Sequence, residues 1–125
     1  MVPDQLARTG WVELLLWMLG LRRRVAVVGQ SMKPTIDEGD ELLIAQRKSV
    51  RVGDIVVLEH PRDSDTVILK RVKRLDEGGV VWIEGDNPDE STDSRQFGQV
   101  RRSELTGVVS SRLKKKLRKQ SGSLE

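Results

Sequence analysis

The chain has 125 residues, 37% of them hydrophobic and 33% charged, which is enough for one folded domain with short tails. It carries no Cys and one His, so disulfides, thiol nucleophiles, thiolate or multi-His metal sites and any Ser-His-Asp triad not built on His60 are excluded. The net charge of +3 belongs to one end: Arg112, Lys114, Lys115, Lys116, Arg118 and Lys119 stand against Glu125 alone, and the body before them is slightly acidic.

Residues 11–21 form an apolar stretch interrupted by Glu13 and Gly20. Helical residues rise about 1.5 Å each, so this stretch reaches roughly half of a ~30 Å bilayer core and does not span it. It is not a secretory signal either, because Arg22-Arg23-Arg24 follow the apolar run instead of preceding it. The expectation is a short N-terminal helical segment over 1–24, packed on the domain or lying peripherally on a membrane.

From Val25 the texture changes to short strands. Val25-Ala26-Val27-Val28 ends at Gly29; Asp37-Glu38-Gly39-Asp40 turns into Glu41-Leu42-Leu43-Ile44. Val52-Gly53-Asp54 turns into Ile55-Val56-Val57-Leu58, and residues 66–75 read as a longer strand. Asp76-Glu77-Gly78-Gly79 is a hairpin turn returning through Val80-Val81-Trp82-Ile83-Glu84. Residues 85–98 are a polar loop too long for a simple connection, and Thr106-Gly107-Val108-Val109 is the last strand. The predicted fold is mostly β, a coiled antiparallel barrel or sandwich, with a domain over 25–111 and a basic C-terminal helix over 112–125.

Strand alternation places Lys70 on the same face as Ile68 and Val72, both apolar, and Arg71 on the opposite face with Leu69 and Lys73. Burial disfavours an ammonium, and a lysine must fall by roughly 3 units from about 10.4 to act as a base near neutral pH. A guanidinium stays protonated, so Arg71 cannot take that role. In Gly29-Gln30-Ser31-Met32-Lys33-Pro34-Thr35 a serine follows a buried strand, its hydroxyl exposed and its amide free, an arrangement suited to a nucleophile beside an oxyanion site. Met32 is expected in the core or in a pocket wall, and His60 in a surface turn.

Together, Gly29-Gln30-Ser31-Met32-Lys33-Pro34-Thr35, Lys70-Arg71-Val72 and the loop from Gly85-Asp86-Asn87 to Asp93-Ser94-Arg95-Gln96-Phe97-Gly98 resemble, in order, the boxes of type I signal peptidases. The resemblance implies a Ser-Lys dyad, with Ser31 attacking the scissile carbonyl and Lys70 as base and then acid. It assigns Ser91 to orienting Lys70, Asp93 and Arg95 to a charge pair bracing the loop, and Asp86 and Asn87 to the turn. The Ser31 N–H would be one oxyanion donor, with Gly29 and Met32 beside the substrate. Many family members carry a hydroxyl where this chain has Gly29, so a water or another amide would serve as the second donor.

A short insert (residues 72–84) and the brief apolar segment resemble the maturation peptidases of nickel-type superoxide dismutase. That resemblance implies removal of an N-terminal extension from a precursor protein by a cytoplasmic enzyme, with a possible peripheral membrane contact. Two alternatives are a minimal type I signal peptidase at the plasma membrane and a non-catalytic β domain binding a membrane surface or nucleic acid. Self-cleaving repressors share the Ser-Lys pair, but 24 residues leave no room for their DNA-binding domain. No cofactor is expected. Asp86, Asp89, Glu90 and Asp93 lack calcium-loop spacing, so no metal is expected, and four aromatics are too few to stack nucleic-acid bases.

Overall fold

The structure, a computed structural model, describes residues 6–46 and 49–114. One helix, α1 (Trp11–Met18), precedes seven strands: β1 (Arg23–Ala26), β2 (Glu41–Ala45), β3 (Ile55–His60), β4 (Asp63–Asp76), β5 (Val80–Glu84), β6 (Val100–Arg101) and β7 (Leu105–Lys114). A short helix, α2 (Ser94–Phe97), interrupts the long polar loop. The strands form one antiparallel sheet in the order β1-β2-β7-β3-β4-β5-β6, mostly β as expected; β1 and β6 are separate edges and the sheet is not closed.

The apolar run opening β3 is buried on both faces. Ile55 and Val57 join Met32, Ile36, Leu42, Ile44 and Val109 in one cluster. Val56 and Leu58 join Val72, Val81, Ile83, Val100 and Val108 in the other. Adjacent residues therefore serve opposite cores, which is why this run shows no polar alternation. By contrast β5, with a core on one side, alternates buried and half-buried residues.

Both ends of the sheet reach further than the sequence suggested. The helix stops at Met18, with Gly20 at φ 80°, and the first strand already includes Arg23 and Arg24. Arg24 pairs with Glu41 on the neighbouring strand at 3.1 Å, which draws it into the sheet. At the other end, residues 112–114 belong to β7 and not to a basic helix; Leu42 pairs with Arg112 and Glu41 with Lys114. The remainder of the expected C-terminal helix lies outside the described residues. His60, expected in a surface turn, closes β3, accepts from the Arg62 N–H at 3.0 Å and packs edge-on against Phe97.

Helix α1 buries none of its residues, and Trp11 and Met18 are 76% and 80% exposed. Its main tie to the sheet is polar: Glu13 accepts from Ser110 Oγ at 2.6 Å and Ser111 Oγ at 3.1 Å, and pairs with Arg22. Burial pushes the Glu13 carboxyl up, but these serine and arginine partners outweigh it and hold it below its usual value. Among the described residues no helix is long and apolar enough to cross a membrane.

Gly107 marks the tightest approach between β7 and β2: a Cβ there would lie 2.5 Å from Ile44 Cγ2 and 3.2 Å from Ala45 O. Gly107→Ala is expected to destabilise the fold by about 1–3 kcal/mol through overpacking. Denaturant unfolding checks this, and an unchanged midpoint would show that the sheet yields without cost.

Candidate active site

Ser31 sits in the turn-rich segment between β1 and β2, and its neighbours fix it from three directions. Met32 behind it is 2% exposed and packs in the first core cluster. The Asn87 N–H donates to Ser31 O at 2.8 Å, and Asn87 Nδ2 donates to Gln30 O at 2.9 Å. Four residues on, Thr35 Oγ1 donates to Asp86 Oδ2 at 2.7 Å. The Lys33–Pro34 peptide in this segment is cis. Among the described residues the Ser31 N–H donates to no backbone carbonyl.

Lys70 lies on β4, opposite Val56 of β3, and is 3% exposed. Its face is apolar as alternation demands, with Val72 in the second core cluster and Ile68, partly buried, packed against it. Nζ donates to Ser91 Oγ at 2.9 Å. The Ser91 hydroxyl spends its own proton on Asp93 Oδ2 at 2.6 Å. An ionised carboxylate only accepts, so this fixes Ser91 as the acceptor from Lys70. Among the described residues no hydrogen bond joins Lys70 to Ser31, and the one that Nζ makes goes to the 85–98 loop.

Asp93 is the centre of that loop. It is fully buried and accepts from the Gly85 N–H at 2.8 Å, from Arg95 N, and from the Arg95 guanidinium at 2.9 and 2.6 Å. It also caps α2 reciprocally, with the Gln96 side chain accepting from the Asp93 N–H. Burial pushes the Asp93 carboxyl up, but Arg95, Ser91 and the Gly85 amide outweigh it and hold it far below the usual carboxylate range. For Lys70 burial dominates and lowers its pKa; the Arg95 cation adds to this, while the Asp93 carboxylate opposes it.

A second clamp ties the loop to β4. Arg71 donates Nε and Nη2 to the two oxygens of Asp86 at 2.9 and 2.8 Å and Nη1 to Gly53 O. Burial pushes the Asp86 carboxyl up, yet Arg71 and Thr35 hold it low. The bidentate fork needs an arginine, since one ammonium cannot reach both oxygens and a third carbonyl in one plane. Sequence reasoning placed Asp86 and Asn87 in the turn but missed Arg71 and Thr35. The available signal was alternation, which turned Arg71 inward on the face opposite Lys70, where a guanidinium requires an acid.

Gly85 lets these parts meet. A Cβ there would fall 2.3 Å from Ser91 Oγ and 2.6 Å from Ser31 O. The Ser31 segment and the lysine's partner therefore approach across a position that only glycine can fill. Beside them a cleft of about 430 Å³ runs between residues 25–28 and 65–69, with Gly29, Ser31 and Met32 in its wall. Gly29 has φ 91° and open space where a Cβ would be. Asp86, Asp89, Glu90 and Asp93 do not converge: among the described residues no group of three or more His, Cys, Asp or Glu is placed to hold a metal ion.

The family profile described as Peptidase S24-like matches residues 24–109, a span that contains both clamps and the cleft. The chain is 33% identical over 107 residues to the mitochondrial ATP-independent inner membrane protease subunit 1a of Arabidopsis thaliana, covering 65% of this chain and 64% of that one. It is 37% identical over 95 residues to the mitochondrial inner membrane protease subunit 1 of Xenopus tropicalis, covering 58% and 57%. It is 28% identical over 130 residues to subunit 2 of Schizosaccharomyces pombe, covering 84% and 70%. The chain thus spans less than two thirds of the first two relatives' length. If this site is catalytic, Gly85→Ala is expected to lower its turnover by about two orders of magnitude by parting Ser91 from the Ser31 segment. Steady-state kinetics on the folded variant checks this, and turnover within threefold of wild type would remove Gly85 from the site.

Proposed function

The chain belongs to the Peptidase S24-like family, and from that premise we propose that it is a Ser-Lys endopeptidase that removes an N-terminal extension from a precursor protein. The observation that carries the reading is a buried lysine whose Nζ has, as its only described hydrogen-bond partner, a serine oriented by an ionised aspartate. Lysine in that setting loses its proton readily, and its lone pair is free for a second hydroxyl.

In this reading Ser31 Oγ bonds the scissile carbonyl carbon as its proton passes to Lys70 Nζ. The C–N bond then breaks, and Lys70 gives that proton to the leaving amine. A water, deprotonated by Lys70, releases the acyl group and restores Ser31. The unengaged Ser31 N–H donates to the developing oxyanion. Substrate enters extended: β1 pairs only with β2, and residues 63–69 of β4 pair with β3 while β5 takes residues 71–76. Two strand edges thus flank the cleft, ready for strand addition.

The sequence resemblance implies nickel-type superoxide dismutase precursor as substrate, cut in the cytoplasm. The relatives are named as inner membrane proteases, and with the exposed apolar residues of α1 this supports the alternative of a membrane-associated enzyme, for which a secretory preprotein is the substrate to test. Both precursors are offered to wild type, Ser31→Ala and Lys70→Arg without detergent. Ser31-dependent cleavage of the dismutase precursor alone assigns the first substrate class. Cleavage of the preprotein alone, especially with added lipid, assigns the second substrate class. Cleavage of neither precursor overturns this substrate assignment and favours the non-catalytic domain. Lys70→Arg is expected to be as inactive as Ser31→Ala, and substantial turnover by it removes Lys70 as base.

The base must be neutral, so kcat/KM is expected to rise with pH along a limb whose midpoint lies below the ordinary lysine value of 10.5. Arg95→Gln removes a cation that disfavours the ammonium and leaves Asp93 less compensated, so the limb moves to higher pH. A limb that stays in place or moves down would mean that another group titrates.

A further inference from the structure

The segment from Ser31 to Asp40 carries the nucleophile, and its far half is gripped by a residue of the last strand. Arg112 Nη2 donates to the Thr35 carbonyl, and Arg112 Nε lies 3.5 Å from Oδ2 of the fully buried Asp40. Asp40 in turn accepts from the Asp37 N–H at 3.0 Å, and its carbonyl accepts from Val27 N–H at 2.9 Å. One guanidinium therefore holds the middle of the nucleophile segment and its closing turn.

From this geometry we infer that Arg112 is a positioning residue for Ser31, an inference that rests on the Ser-Lys reading above. Thr35 is clamped twice, its hydroxyl by Asp86 and its carbonyl by Arg112. Its neighbour Ile36 donates its N–H to Met32 O at 3.0 Å, so a shift at Thr35 is passed to the residue adjoining the nucleophile. The Arg112 side chain is 15% exposed, and its buried Nε has no hydrogen-bond partner among the described residues. An imperfectly satisfied buried guanidinium costs stability, and that cost points to a role in placing the segment.

Arg112 is itself held firmly. Its N–H donates to Ala7 O and its carbonyl accepts from Thr9 N–H, so the segment leading into α1 fixes its backbone. The adjacent Ser111 hydroxyl donates to Glu13.

The test compares wild type, Arg112→Met, Arg112→Lys and Ser31→Ala on the precursor that wild type cleaves, with the folded fraction of each measured by thermal unfolding. Arg112→Met is expected to lose about tenfold to a hundredfold in kcat, with KM within twofold and the pH limb of Lys70 unmoved. Arg112→Lys keeps the charge near Asp40 but not the second donor, so it recovers part of the loss. A kcat that falls only in proportion to the folded fraction overturns the inference, as does a change confined to KM. If the methionine variant does not fold, full kcat in Arg112→Lys overturns it equally. Ser31-independent or absent turnover in wild type instead overturns the Ser-Lys reading, and the inference with it.

Discussion

The carboxylate of Asp93 is the constraint on which the site depends. It is fully buried, and it gathers the Gly85 amide, the Ser91 hydroxyl and the Arg95 guanidinium on two oxygens. An ion so placed is tolerable only with every lone pair engaged, and the 85–98 loop is wound to supply those partners. Because Asp93 is occupied in this way, Ser91 can only receive from Lys70. The direction of one hydrogen bond therefore follows from the desolvation of a group two bonds further on.

The same loop is joined to the Ser31 segment by independent bonds. Asp86 holds Thr35 and is held by Arg71, while Asn87 holds the carbonyls of Gln30 and Ser31. Lys70 and Arg71 are consecutive on β4, and pleating sends them to opposite faces. One engages the Ser91–Asp93 middle of the loop and the other its start at Asp86. A dipeptide thus addresses two separate parts of a fourteen-residue loop, and its two side chains could not exchange roles.

Much of this was legible in the sequence because it rests on local rules. The apolar run Ile55-Val56-Val57-Leu58, the Gly78-Gly79 hairpin and the Lys70 face each follow from alternation or turn chemistry within a few residues. What was not legible depends on contacts far apart in the chain. Arg112 reads as the start of a charged tail until Asp40 and Thr35, some seventy residues earlier, are seen beside it. Arg23 and Arg24 read as the end of a helix until Glu41 is seen on the next strand. In both cases a charged residue was assigned to a helix when its backbone pairs in the sheet and its side chain meets an acid distant in the chain.

Helix α1 sits differently from everything else described. It contributes no buried side chain and is tied chiefly through one carboxylate to two hydroxyls and an arginine. Opening it exposes little new apolar surface, so its local unfolding free energy is a small fraction of that of the strands. Its amides therefore exchange with solvent long before those of β3 or β7, and a protease nick there would report on the helix alone. The strands and the clamps around Ser31 would melt later, as a separate cooperative unit.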